Sequence, residues 1–85
     1  MKLKFSYEIL ELEDQKFYVP VEYEAEQILQ FNQTGNIIFE CLMEETSIEE
    51  IVETLSKMYK NPKEQIVSFV QQFVDSLKKE GYLVE

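Results

Sequence analysis

The stretch ILQFNQTGNIIFECL, residues 28–42, changes its apolar period at a four-residue polar break, Asn32-Gln33-Thr34-Gly35. Before the break, Leu29 and Phe31 alternate with Ile28 and Gln30, the period-2 pattern of a strand over about residues 26–31. After it, Ile37, Ile38, Cys41 and Leu42 recur at helical spacing. The backbone must switch conformation between the two, and Asn32 suits the switch: its side-chain oxygen can accept from the orphan N–H groups of a first helical turn. Gly35 falls in that turn, where glycine costs up to ~1 kcal/mol relative to alanine. It marks either the close approach of another backbone or a plainly tolerated glycine.

The segments on either side fill in the pattern. FSYEILEL, residues 5–12, is rich in strand-favouring side chains. Its alternation shifts by one between Ile9 and Leu10, which predicts a bulge or a strand buried on both faces. Glu13-Asp14-Gln15 connects it to FYVPV, residues 17–21, a second strand with Pro20 at its end or on an edge. Glu22, Glu24 and Glu26 follow at a spacing of two and are expected to face solvent. Ser47 and Glu50 form a capping-box pattern ahead of a helix whose apolar face is Ile48, Ile51, Val52, Leu55, Met58 and Tyr59. Asn61-Pro62-Lys63-Glu64 reads as a cap residue, proline at the first helical position and glutamate at the third. The helix that follows runs to about Glu80, with Gly81 as its C′ residue and Tyr82-Leu83-Val84 as a short extended tail. Its stripe of Ile66, Val67, Phe69, Val70, Phe73, Val74 and Leu77 spans an arc of roughly 160°, wide enough for a central helix and for one edge to line a groove. The order strand–strand–strand–helix–helix–helix–tail predicts a single α+β domain over residues 1–85, with a small antiparallel sheet against three helices.

Composition narrows the function. Acidic residues number 17 against 8 basic ones, all lysine, for a net charge of −9. Such a chain repels a phosphate backbone and lacks the arginine that reads guanine edges, so no nucleic-acid partner is expected. Nor is an anionic membrane surface. Histidine is absent, which removes the usual general base and the common zinc sites, so neither metal nor cofactor is expected. The single cysteine cannot form an internal disulfide. Cys41, on an apolar helical face with no His or Arg nearby in sequence, reads as an inert thiol. The carboxylates, including the pairs Glu44-Glu45 and Glu49-Glu50, read as solvated surface. With no signal-peptide pattern and no membrane-length apolar run, a cytoplasmic location is expected. The reading from residues alone is a small, acidic, non-catalytic binding module.

Three stretches, taken in order, resemble the PqqD family, the small domains also called RiPP recognition elements, which serve ribosomally made, post-translationally modified peptides. ILQFNQTGNIIFECL is similar to the family's apolar strand, Asn, Thr-Gly/Ala and helix. TSIEEIVETLSKMY is similar to its T-x-E-E-I-x-x-x-L…Y/F helix. VSFVQQFVDSLKKEGYLV is similar to its closing V-x-x-F-(V/L)-x-x-L-x-x-x-G-(L/Y)-(L/I) helix and tail, and FYVPVEYE to the strand and proline ahead of the Asn segment. Most of residues 17–84 is covered.

The resemblance implies a winged-helix-like fold, with a three-stranded antiparallel N-terminal sheet followed by three helices. It also implies a function: binding the leader segment of a precursor peptide and presenting it to a modifying enzyme, such as a radical SAM protein or a leader peptidase. The leader would add as a strand to the third strand and lie beside the last helix. Carried onto this sequence, the peptide-binding residues are Glu26, Gln27, Ile28, Leu29 and Gln30 on the strand, with Phe69, Val70, Phe73 and Ser76 on the helix. Exposed strand edges leave a monomer or a weak dimer as the expected state. The alternative compatible with the fold class is a winged-helix nucleic-acid-binding or transcription-regulatory module, which the charge disfavours.

Overall fold

Two consecutive residues with positive φ, Glu13 (51°) and Asp14 (66°), turn the chain back on itself in a two-residue loop. This is the pattern of a type I′ turn, whose twist matches that of the strands it joins. In the computed structural model, which describes residues 1–21 and 27–84, the loop joins β2 (Tyr7–Leu12) to β3 (Gln15–Pro20). Their antiparallel register is unbroken from Tyr7↔Pro20 to Leu12↔Gln15. There is no bulge at Leu10. β2 is an outer strand with apolar residues exposed on both faces, Ile9 and Leu10 at 44% and Leu12 at 54%, so the shifted alternation needs no kink. Pro20 ends β3, where its missing N–H costs no ladder bond.

The expected three-stranded sheet is not what forms among the described residues. A short β1 (Lys2–Leu3) pairs antiparallel with β4 (Leu83–Val84), and β2 pairs with β3, giving two sheets of two strands. The predicted third strand is reduced to one bridge, Tyr18↔Leu29, with both main-chain hydrogen bonds made (2.8 and 3.0 Å). Beyond it Phe31 turns into an aromatic cluster and Asn32 starts a helix, so pairing stops. The predicted Glu22, Glu24 and Glu26 face, and the start of that strand at Glu26, lie outside the described residues.

Three helices follow, α1 (Gln33–Cys41), α2 (Ile48–Met58) and α3 (Lys63–Lys79). Asn32 caps α1: its Oδ1 accepts the Gly35 N–H at 2.8 Å. Ser47 caps α2 by accepting the Glu50 N–H at 3.2 Å. α3 corrects the expected cap. Pro62, not Asn61, is its N-cap residue, and no side chain caps it. Pro62 is itself extended (φ −55°, ψ 143°), so the helix starts one residue later than expected, and the Asn61 side-chain amide donates to Gln65 Oε1 (3.3 Å). Gly81 (φ 82°) ends α3 in a Schellman motif. The Tyr82 N–H bonds to Leu77 C=O (2.9 Å) and the Gly81 N–H to Lys78 C=O (3.0 Å). That turn delivers Leu83 to β1.

The core gathers Leu3 from β1, Tyr18 from β3, Ile38, Phe39 and Leu42 from α1 and its end, Ile51 and Leu55 from α2, and Val70 and Val74 from α3. Tyr18 and Glu40 lock the hairpin onto α1. The Tyr18 hydroxyl donates to Glu40 Oε2 at 2.6 Å, and Lys16 Nζ donates to the same oxygen at 3.0 Å. Burial, and then the bond to Glu40, push the Tyr18 phenol well above its ordinary range. Burial raises the Glu40 carboxyl too, but the hydrogen bonds from Tyr18 and Lys16 outweigh it and hold it below its usual value. Glu40 is thus a structural carboxylate rather than a solvated one.

This packing has two measurable consequences. A Cβ added at Gly35 would lie 2.9 Å from Phe31 Cβ and 2.9 Å from Phe73 Cε2. The close approach is therefore made by aromatic side chains rather than by another backbone. Gly35→Ala should destabilise the fold by about 1–2 kcal/mol, overpacking outweighing alanine's helical preference; a denaturant midpoint equal to or above wild type would contradict this contact. The second concerns pH. Because the folded pKa of Glu40 is depressed, its contribution is fully present above its ordinary value of 4.5 and is lost as pH falls. The stability gap between wild type and Glu40→Gln should be widest near neutrality and close in acid, read from urea midpoints at several pH values.

Candidate functional site

The Tyr18–Leu29 bridge fixes which way the segment 27–31 faces. In an antiparallel pair, successive residues point their N–H and C=O groups to opposite sides. Leu29 spends both on Tyr18. Ile28 and Gln30 therefore turn theirs away from β3, and among the described residues these groups have no hydrogen-bond partner. The side chains alternate as well. Leu29 and Phe31 pack inward against the core; Ile28, at 62% exposed, and Gln30 point outward.

α3 forms the facing wall. Phe69, Phe73 and Ser76 share one face at spacings of four and three. Phe69 is 39% exposed, Phe73 half-buried and Ser76 exposed. Phe73 meets Phe31 edge-on at 5.2 Å between ring centroids, and Phe69 lies 6.4 Å from Phe73. Val70 does not belong to this wall. It sits about 100° further round the helix, is 0% exposed and is part of the core. Of the predicted site residues, the structure links the 27–30 segment to α3 through its neighbours: Phe31, next to Gln30, meets Phe73, and Gln27 accepts from Tyr82 just past the helix. Val70 supports the wall from behind.

The two walls define a direction. Near the C-terminal end of α3, the Tyr82 hydroxyl donates to Gln27 Oε1 at 3.2 Å. At the other end, beyond Asn32, the groove meets a pocket of about 360 Å³ lined by Asn32, Thr34, Leu55, Tyr59, Asn61, Gln65, Ile66 and Phe69. Its floor is apolar, from Leu55, Ile66 and Phe69. Its rim is polar, with the Thr34 hydroxyl donating to the Tyr59 hydroxyl at 3.2 Å. Nothing in the sequence marks this pocket. It depends on how the end of α2 meets the start of α3, and its only sequence trace is Tyr59 falling at the last turn of the α2 stripe.

The chemistry at hand suits binding. Backbone donors and acceptors stand opposite an apolar ridge, and a polar-rimmed pocket lies at one end. Cys41 is half-buried, and burial raises its thiol pKa, against nucleophilic use. Among the described residues no group of His, Cys, Asp or Glu side chains is arranged to hold a metal ion, and no helix is long and apolar enough to cross a membrane.

Comparison with known proteins bears on the same residues. No curated protein sequence matches the chain. Among solved structures, one described as "TbiB1 in Complex with the TbiA(beta) Leader Peptide" shares the fold, with a TM-score of 0.74 and 18% sequence identity over 99% of this chain and 100% of that one. The family model described as "Coenzyme PQQ synthesis protein D (PqqD)" matches residues 8–83, through the hairpin, the edge segment and all three helices; the chain belongs to the PqqD family.

Proposed function

We propose that this chain is a non-catalytic leader-peptide-binding protein, which takes a ribosomally made precursor peptide by strand addition and presents it to a modifying enzyme. The observation that carries the reading is the outward-turned main chain of Ile28 and Gln30, on a segment that Phe31 ties to the Phe69–Phe73 ridge of α3. An extended peptide in this groove gains backbone hydrogen bonds from one wall and buries alternate side chains against the other. The similar fold of TbiB1, solved with a leader peptide, supports it. The peptide-binding residues are Gln27, Ile28, Leu29, Gln30, Phe69, Phe73 and Ser76, with the pocket around Tyr59 and Gln65 receiving a side chain where the peptide runs past Asn32. The modifying enzyme is a radical SAM protein or a leader peptidase, the protein acts in the cytoplasm, and it works as a monomer or weak dimer. A nucleic-acid role is disfavoured by the net charge of −9.

Strand addition and simple groove binding are separable by amide exchange. On adding the cognate leader, the Ile28 and Gln30 amides should gain protection, while the Leu29 amide, already bonded to Tyr18, changes little. Protection gained at Leu29 but not at its neighbours would reject strand addition. Mutation should divide the ridge. Phe69→Ala should weaken leader binding about tenfold or more, of the order of a binding hot spot, with little change in stability because the ring is part-exposed. Phe73→Ala should lower both, since its ring also packs on Phe31. Calorimetric titration alongside thermal unfolding checks the pair; a Phe69→Ala protein that binds as wild type does would remove the ridge from the site.

A further inference from the structure

The hairpin has a second face. In the β2–β3 register, Tyr7, Ile9, Lys16 and Tyr18 lie on the α1 side, and Glu8, Leu10, Leu12, Gln15, Phe17 and Val19 on the other. The bridge at Leu29 sets Ile28 across from Val19 and Gln30 across from Phe17 on that same outer face. The Gln30 side chain donates to Gln15 Oε1 at 3.3 Å there. The result is a continuous apolar strip of Leu12, Leu10, Phe17, Val19 and Ile28. Leu10 is 44% exposed, Leu12 54% and Ile28 62%, with no element of the described chain lying over them. No packing requirement of this fold accounts for a strip of that kind.

The rim identifies the occupant. Glu8, Glu13 and Asp14 surround the strip, all exposed. The only lysine of the hairpin, Lys16, lies on the opposite face, bonded to Glu40 with Glu11 at 3.9 Å. A second copy would set these acids against each other at a net charge of −9 per chain, and an anionic lipid surface would meet the same repulsion. A protein with an apolar patch ringed by lysine and arginine fits. The strip also ends at Ile28, on the edge where the proposed peptide strand adds, so such a partner meets the domain and the bound peptide on one continuous surface.

We infer that the outer face of the β2–β3 hairpin is the docking surface for the enzyme that works on the bound peptide, a basic-rimmed apolar surface seated on Leu10, Leu12, Phe17 and Val19. The identity of this partner rests on the leader-peptide reading above; the surface argument does not.

The test uses the full chain and a purified peptide-modifying enzyme, a radical SAM protein or leader peptidase from the same genome. Leu10→Ser/Leu12→Ser, both at exposed positions, should unfold near the wild-type midpoint and hold the leader within twofold of wild type. Its affinity for the enzyme should fall at least tenfold. Glu8→Lys/Asp14→Lys should also weaken the enzyme complex, and the wild-type complex should weaken as salt rises from about 50 to 300 mM. Enzyme affinity unchanged in the serine variant, or no enzyme binding by the wild type with or without leader, overturns the inference. A wild-type dimer in sedimentation that the serine variant dissolves also overturns it, by giving the face to a second copy. If the enzyme binds through this face while the leader does not bind at all, it is the leader-peptide reading that fails and the docking surface that stands.

Discussion

Phe31 is the joint on which the structure turns. It follows the bridge at Leu29 and precedes the cap at Asn32, so the last extended residue and the first helical turn both depend on where its ring goes. The ring meets Phe39 at 5.0 Å, Phe73 at 5.2 Å and Tyr18 at 6.0 Å, and Tyr7 continues the chain of contacts from Phe39 at 5.2 Å. Each such pair contributes about 0.5–1.5 kcal/mol beyond its burial. More important than the sum is the connection, because the rings link the hairpin, the edge segment, α1 and α3 through one cluster. The gap between the Ile28–Gln30 edge and the Phe69–Phe73 ridge is set by that cluster, and Gly35 is the residue whose missing side chain lets it close.

What is legible in the sequence is mostly local chemistry. Asn32, Ser47 and Gly81 announce two helix starts and a helix end because capping is decided within a few residues. The hairpin is legible for the same reason. The features that escape are those that depend on distant partners. β1 exists because Gly81 sends Leu83 back to pair with Leu3, a contact across nearly the whole chain, and nothing in KLKF signals it. The third strand has the right period, but with Phe31 drawn into the ring cluster one residue, Leu29, is paired among those described. The wide apolar arc of α3 admits Val70 to the cleft; only the position of α1 and α2 shows which part of the arc is covered. Phe39 escapes the helical pattern for the converse reason. Ile37 and Cys41 make an acceptable helical face, whereas the buried one is Ile38, Phe39 and Leu42, rotated toward the rings.

Charge enters the structure at two scales. Locally, one carboxylate is taken out of the general acidic surface and made structural. Glu40 accepts from Tyr18 and Lys16 and thereby fixes how the hairpin sits on α1. Globally, the remaining excess of acid opposes self-association, at a net charge of −9 per chain. That matters for a protein with an unpaired strand edge, which is otherwise a template for self-association. A bulge or an edge lysine would blunt the edge against every partner. Net charge discriminates instead: it repels like-charged copies of the chain without blunting the edge itself.

The single bridge at Leu29 also bears on how a strand can be accepted there. A fully paired third strand would be stiff and in fixed register before any peptide arrived. Here, among the described residues, the main chain of the edge is held to β3 by two hydrogen bonds at one residue, with a Gln30–Gln15 side-chain bond beside them, Phe31 anchoring one side and the Tyr82–Gln27 contact tying the other to the end of α3. Such an edge is positioned at both ends and lightly held between them. In the proposed mode, an added strand would hydrogen-bond to Ile28 and Gln30 and rest side chains on Phe69 and Phe73, so that pairing on the far side of the edge would reinforce the bridge on its near side. Two strands alone are marginal in water and a third adds stability. On the proposed function, the incomplete sheet would be part of the binding site: a peptide completing it would stabilise the segment that holds it, and affinity would arise from ordering the edge as well as from the contacts made with it.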